Sequence, residues 1–203
     1  MRTPTDENLL ADHLAGEPHA FELLVRRYGS ELYRFVLRFT NSSAGADDVV
    51  QDAFLQVHLS AGGFDTKRRF KPWLFTIAAN KARDWLRVRS RRNELPLDAD
   101  VSDDVGAKKF LDLISDGRDG DTPAVERDEQ RRTVRRAMDQ MPIMMREALI
   151  LAYYHGFAYH EIAEVLGIPV GTVKSRLHSA VAYFGQAYRA LAGESGARKE
   201  DPR

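Results

Sequence analysis

Cysteine is missing altogether from this chain of 203 residues. Disulfides, thiolate metal sites and a cysteine nucleophile are thereby excluded, and the composition fits a reducing compartment. A charge excess is missing too: Lys+Arg and Asp+Glu number 30 each, for a formal net charge of +0. Any affinity for nucleic acid must then come from local clusters of charge. No apolar run reaches the ~18 residues that would span a bilayer. The N-terminus runs from Met1 through Asp6 into acidic sequence, without the apolar stretch of a secretory signal. The expectation is a soluble, cytoplasmic chain with no membrane insertion. Catalytic constellations are also missing. His160-Glu161 begins like a zinc-protease helix, but Glu164 stands where the second His must be, and no Gly-rich loop ends in Lys-Ser or Lys-Thr. No metal, no cofactor and no enzymatic activity are expected.

What is present is helical spacing. Hydrophobic residues make up 43% of the chain, enough for a core. Phe21, Leu24, Val25, Tyr28, Leu32, Phe35, Val36 and Phe39 recur at threes and fours, with Pro18 suited to the first turn of that helix. Asn41 to Gly45 breaks the pattern. A second stripe follows through Val49, Val50, Ala53, Phe54 and Val57 and ends at Gly62-Gly63, and Pro72 opens a third helix through Trp73 to Leu86. From about Asn93 to Pro123 acids and glycines dominate, which reads as a flexible acidic linker carrying one short apolar segment, Phe110 to Ile114. Periodicity returns at Ala124. Pro142 starts a helix ended by Gly156, a short helix runs from Tyr159 to Leu166, Gly167 caps it, and a last helix starts near Val170. The end, from Gly193, is polar. The fold class is therefore all-α: two small helical domains joined by a flexible acidic linker, the second ending in a helix-turn-helix. The boundaries are 1–92, linker 93–123, 124–188, and a polar tail 189–203.

Three constellations carry chemistry. In the last helix Val170, Val173, Leu177, Ala180 and Val181 form one apolar stripe. Gly171, Lys174, Ser175, His178 and Ser179 fall on the opposite face. Donors and a cation on that face suit major-groove entry and phosphate contact; a helical hairpin packing only on protein has the same outline. Around the third helix, Lys67, Arg68, Arg69, Lys71, Lys81, Arg83, Arg87, Arg89, Arg91 and Arg92 interleave with Phe64, Phe70, Trp73, Phe75 and Trp85. Cations for a backbone and flat rings for unstacked bases are what single-stranded nucleic acid requires. Phe75 and Trp85 read as core, whereas Trp73 fits core or ligand equally. On the middle helix Asp48, Gln51, Asp52 and Leu55 share one line, with Asp47 beside them. An acidic line with an apolar end suits a basic protein surface, although Asp47 and Asp48 also suit a helix N-terminus.

Two signatures give the chain a family. Asp47-Asp48-Val49-Val50-Gln51-Asp52-Ala53-Phe54 precedes Phe70-Lys71-Pro72-Trp73-Leu74-Phe75-Thr76-Ile77-Ala78-Ala79-Asn80. Tyr159-His160-Glu161-Ile162-Ala163 precedes Pro169-Val170-Gly171-Thr172-Val173-Lys174-Ser175-Arg176-Leu177. In their order and separation they resemble bacterial RNA polymerase sigma factors of the extracytoplasmic-function (ECF) group. The resemblance implies that Asp47, Asp48, Gln51, Asp52 and Leu55 dock on the beta-prime clamp helices of core polymerase, with the beta flap as a second contact. It implies that the loop Ala61 to Arg69, with Phe64, Lys67, Arg68, Arg69 and Trp73, captures a flipped base. Asn80, Lys81, Arg83, Asp84 and Arg87 would read the minus-ten element. Gly171, Thr172, Lys174, Ser175, Arg176, His178 and Ser179 would contact the minus-thirty-five element. The acidic linker would thread the RNA-exit channel, and an anti-sigma factor would hold the protein inactive.

The chain departs from many relatives at His178 and Ser179, where an aromatic and a basic residue are frequent, and at Lys174, where Arg is frequent. Each base contact is worth about 1–3 kcal/mol, so its promoter preference is its own. The alternative is a polymerase-independent helix-turn-helix regulator, which leaves Asp48, Gln51 and the Trp73 region without a task. A nuclease finds no acid–base pair or metal cluster in the sequence.

Overall fold

The computed structural model describes residues 4–90 and 124–199. The acidic linker and its Phe110 to Ile114 segment lie outside the described residues. All regular structure among the described residues is helical. Contacts divide them into two units: 4–90 with His160–Ile168, and 124–159 with 169–199.

The first unit opens with a helix that the apolar pattern did not announce, α1 (Asp6–Leu14). Thr5 caps it, its hydroxyl accepting from the Asn8 amide at 3.2 Å, and Asp6 and Glu7 put acids in the first turn, where the helix dipole favours them. Only Leu9 and Leu10 are buried. Asp6 fastens α1 to the next helix by accepting from Arg27 and from the Tyr28 hydroxyl. Burial, with help from that carboxylate, pushes the Tyr28 phenol well above its ordinary pKa. Helix α2 (Ala20–Thr40) carries the expected stripe, with Leu24, Leu32, Phe35, Val36 and Phe39 fully enclosed. Pro18 sits in the turn before it rather than in its first turn.

Asn41 ends α2 in the left-handed conformation, φ 51°. The break is narrower than expected: only Asn41 and Ser42 separate α2 from α3 (Ser43–Ser60), and the Ser42 hydroxyl caps α3 by accepting from Gly45. Gly45 lies inside α3 for a reason of packing. A Cβ there would meet the Trp85 ring at 2.6 Å, so the absent side chain is the seat of that indole. A 3₁₀ turn, Ala61–Gly63, ends α3, and α4 (Phe70–Ser90) starts two residues before Pro72. Proline is tolerated there because first-turn amides have no partner within the helix. Helices α2, α3 and α4 form a bundle around Phe35, Phe39, Phe70, Leu74 and Phe75, with α1 laid across α2.

The second unit holds α5 (Ala124–Asp139) and α6 (Ile143–Leu149), which runs on into a π turn, Ile150–Tyr154. Arg146 donates to the carbonyls of Asp139 and Met141 at 2.9 and 3.2 Å, tying off the end of α5. Gly156 and Gly167 take positive φ, 63° and 65°, at the two turns that bracket α7 (Tyr159–Leu166). Helix α8 (Val170–Lys199) then packs on α5 and α6. It continues past the expected end near Tyr188, because Ala187 and Leu191 extend its buried stripe. Val170, expected in that stripe, is 40% exposed, since the first helical residue sits at the mouth of the turn.

Candidate functional site

Helix α3 presents one face to the core and another to solvent. Val49, Ala53, Phe54 and Val57 are buried, and Asp47, Asp48, Gln51, Asp52 and Leu55 are all exposed. The acids are followed one turn on by Leu55 and then Leu59, which is 70% exposed. The strip thus joins exposed carboxylates to exposed apolar side chains on one helix face. Beside it lies an open groove of ≈ 750 Å³ lined by Asp48, Val49 and Asp52 of α3 and Lys81, Asp84, Trp85, Val88 and Arg89 of α4. The Arg89 guanidinium lies over the Trp85 ring, 5.2 Å from its centroid.

The loop before α4 is built by Asp65, whose carboxylate accepts from the Lys67 amide at 3.0 Å and whose carbonyl accepts from the Arg68 amide at 2.9 Å. These bonds leave Lys67, Arg68 and Arg69 exposed. Arg68 pairs with Glu164 and Arg69 with Glu161 of α7. The start of α4 is pinned twice: the Glu7 carboxylate of α1 accepts from the Phe70 amide at 3.0 Å, and Lys71 pairs with Glu31 of α2 at 2.8 Å. Between these pins Trp73 is half-buried, its ring 4.6 Å from Phe64 and 5.9 Å from Phe70. Trp73 is thus neither core nor free; it forms the edge of an aromatic shelf. Further along α4, Asn80, Asp84 and Arg87 are exposed at positions four and three apart, and Arg87 pairs with Asp84 at 2.8 Å. Lys81 belongs to the groove, and Arg83 is half-buried and set apart from that exposed row. Phe75 is core, and Trp85 is a half-buried groove wall.

On α8 the exposed face is Gly171, Lys174, Ser175 and His178, with Thr172 and Ser179 half-exposed on the flank. Val173, Leu177 and Ala180 face inward. Arg176 does not join the exposed set: its side chain is folded toward α6 and lies 3.8 Å from Glu147, whose side chain is 4% exposed. His155 is half-buried, and His160 is exposed. Among the described residues no cluster of His, Asp and Glu has the size of a metal site, and no helix is long and apolar enough to cross a membrane.

Sequence reasoning missed the pins, Glu7 and Glu31, and the partner Glu147. The Thr5 cap and its acidic first turn were the available signal for Glu7. Nothing in the linear pattern marks Glu31 or Glu147.

The described residues thus present an acidic strip, a cationic aromatic loop and a polar helix face, and the comparisons give the class of protein: a sigma factor, which joins RNA polymerase to promoter DNA. The family models agree: "Sigma-70 region 2" matches residues 24–92 and "Sigma-70, region 4" matches 131–183. The RNA polymerase sigma-H factor of Pseudomonas aeruginosa is 34% identical over 94% of this chain and 97% of its own length. The ECF RNA polymerase sigma factor SigW of Bacillus subtilis is 31% identical over 80% of this chain and 86% of its own, and the ECF sigma-E factor of Escherichia coli (strain K12) is 34% identical over 87% and 90%. The structure of CnrH in complex with the cytosolic domain of CnrY is similar at TM-score 0.61 and 27% identity, covering 96% of this chain and 99% of that one. The sigma factor RpoE of Bartonella quintana, in complex with the anti-sigma factor NepR, shares the fold at TM-score 0.62 and 22% identity, covering 84% of this chain and 98% of that one. The chain belongs to the sigma-70 family of RNA polymerase sigma factors, in its extracytoplasmic-function group.

Proposed function

We propose that the protein binds core RNA polymerase and directs it to a set of promoters, opening the minus-ten element with its first unit and holding the minus-thirty-five element with α8. The observation that carries this reading is the match to a sigma factor along 94% of the chain, spanning both units in one order. The residue roles follow from chemistry. Asp47, Asp48, Gln51, Asp52 and Leu55 dock on a basic, partly apolar surface of the polymerase. Lys67, with Arg68 and Arg69 once they leave Glu164 and Glu161, neutralises phosphates while the Phe64–Trp73 shelf receives an unstacked base, where stacking is worth about 1–3 kcal/mol per base. Asn80, Asp84 and Arg87 offer donors and acceptors to neighbouring bases, with Lys81 and Arg83 behind them. Gly171, Thr172, Lys174, Ser175, His178 and Ser179 face duplex DNA. An anti-sigma factor covers the α3 strip and groove in the resting cell. The bare Leu55, Leu59 and Val88 support this, as does the capture of the similar CnrH with a domain of another protein. The protein works in the cytoplasm without chemistry of its own.

The test is transcription from fragmented genomic DNA by purified core polymerase, with and without the chain, read by sequencing the start sites. Two spaced motifs upstream of the new starts are expected. Core binding with no new start refutes the reading, and tight binding to duplex DNA without polymerase favours a free-standing regulator.

A further inference from the structure

Arg176 lies on the flank of α8, between the exposed Lys174, Ser175 and His178 and the buried Val173, Leu177 and Ala180. Long cations on a helix ordinarily carry their charge out to water. This one does not: its side chain is 13% exposed, and its Nη1 lies 3.8 Å from Oε1 of Glu147, an ion pair rather than a direct hydrogen bond. Glu147 belongs to α6, on which α8 rests, and a charge in that enclosure is favourable only beside an opposite one. Ala148 and Leu149 of α6 and Val173, Leu177 and Ala180 of α8 are buried as well. Apolar contact presses a helix down without direction and tolerates rotation about its axis. A rotation of about 10° moves a side-chain tip about 6 Å from the axis by about 1 Å, a large part of a hydrogen-bond length. The pair of opposite charges is a directional element that resists it.

We propose that the Glu147–Arg176 pair fixes the rotation of α8, so that Arg176 is a positioning residue for Lys174, Ser175 and His178 and does not itself touch DNA. The inference rests on the sigma-factor reading. It predicts that base preference at the minus-thirty-five element depends on the pair being balanced, not on the guanidinium being present.

The experiment uses the full chain with core polymerase in the genomic start-site assay, comparing wild type with Glu147→Gln, Arg176→Met, Arg176→Lys and the double variant Glu147→Leu/Arg176→Met. Breaking the pair from either side should lower discrimination at the upstream motif about tenfold, the loss of one well-placed base contact, with minus-ten preference unchanged. The double variant removes both charges and should bring discrimination back to within about threefold of wild type. Arg176→Lys keeps a cation beside Glu147 and should also stay within about threefold. A double variant as poor as Arg176→Met, in chains that melt alike, overturns the inference, because DNA then needs the guanidinium itself. So does a tenfold loss in Arg176→Lys, since only a ligand would read the planar fork, or full discrimination in Glu147→Gln. If the singly broken chains unfold, the double and Lys variants decide alone. A wild-type chain that gives new starts with no upstream motif refutes the promoter reading instead, which separates the two failures.

Discussion

Replacing Gly45 by alanine sets two effects of opposite sign against each other. In an open helix the change is favourable by up to about 1 kcal/mol, because glycine loses more backbone freedom on folding. Here the new methyl would stand 2.6 Å from Cζ2 and 2.8 Å from Cε2 of Trp85, closer than real Cβ contacts. The obstacle is a stiff bicyclic ring, and overpacking of this kind costs about 1–3 kcal/mol. Overpacking wins, and the net loss is about 1 kcal/mol, or roughly 4–8 °C in the melting of a unit of this size. Trp85 also walls the groove with Asp48 and Asp52, so polymerase affinity should fall with it. Thermal melting of the full chain, in a cycle with Trp85→Ala, separates the terms. Gly45→Ala should destabilise the wild type and stabilise the Trp85→Ala background by up to about 1 kcal/mol, for a coupling of about 1–3 kcal/mol. Stabilisation in both backgrounds would refute the argument, since the ring would then not be seated on Gly45.

Reversing charge with Asp48→Lys and Asp52→Lys should weaken association with core polymerase at least about tenfold in a fluorescence titration, with melting unchanged because exposed substitutions rarely exceed about 0.5 kcal/mol; unchanged association removes α3 as the docking face. Trp73→Ala should reduce promoter opening, read by permanganate reactivity of unpaired thymines, by the worth of one base stack, about 1–3 kcal/mol or roughly 5- to 150-fold, while closed-complex formation persists. Acid should loosen α1. Burial, and then the neighbouring His58 ring 3.0 Å away, lower the His13 pKa below its ordinary 6.5. Between the lowered value and 6.5 the unfolded chain binds more protons, so stability rises with pH through that window and falls on acidification across it, with no further loss from His13 below it. Melting at pH 7.5 and 5.5 should show a drop that His13→Asn diminishes; equal drops in both chains would refute the role of His13.

Much of this architecture was readable because bundle helices write their core at threes and fours. The stripe from Leu24 to Phe39 and the stripe of Val49, Ala53 and Val57 became the buried faces of α2 and α3. The left-handed Gly167 and the exposed Lys174, Ser175 and His178 also stood where the pattern put them. Helix α1 escaped because two buried leucines make no stripe; its mark is a capping hydroxyl followed by acids. Arg176, which the resemblance set among the DNA contacts, lies off the exposed face because neither motif nor spacing tells whether a long flexible stem folds inward toward an acid. Gly45 looked like a chain break, since a glycine that makes room for a ring is indistinguishable in one dimension from one that makes a turn.

The proposed function uses helix α4 on two sides at once. Lys81, Trp85 and Arg89 line the groove, and Asn80, Asp84 and Arg87 follow on adjoining positions of the same rod, with Asp84 at the edge of both. A rigid helix cannot tilt one flank and keep the other still. On the proposed function, an inhibitor lodged in the groove would have leverage over base reading without touching a base, and a substitution that improves grip on the machine would shift aim at the promoter as well. Loyalty to the enzyme and choice of gene would then be settings of a single lever.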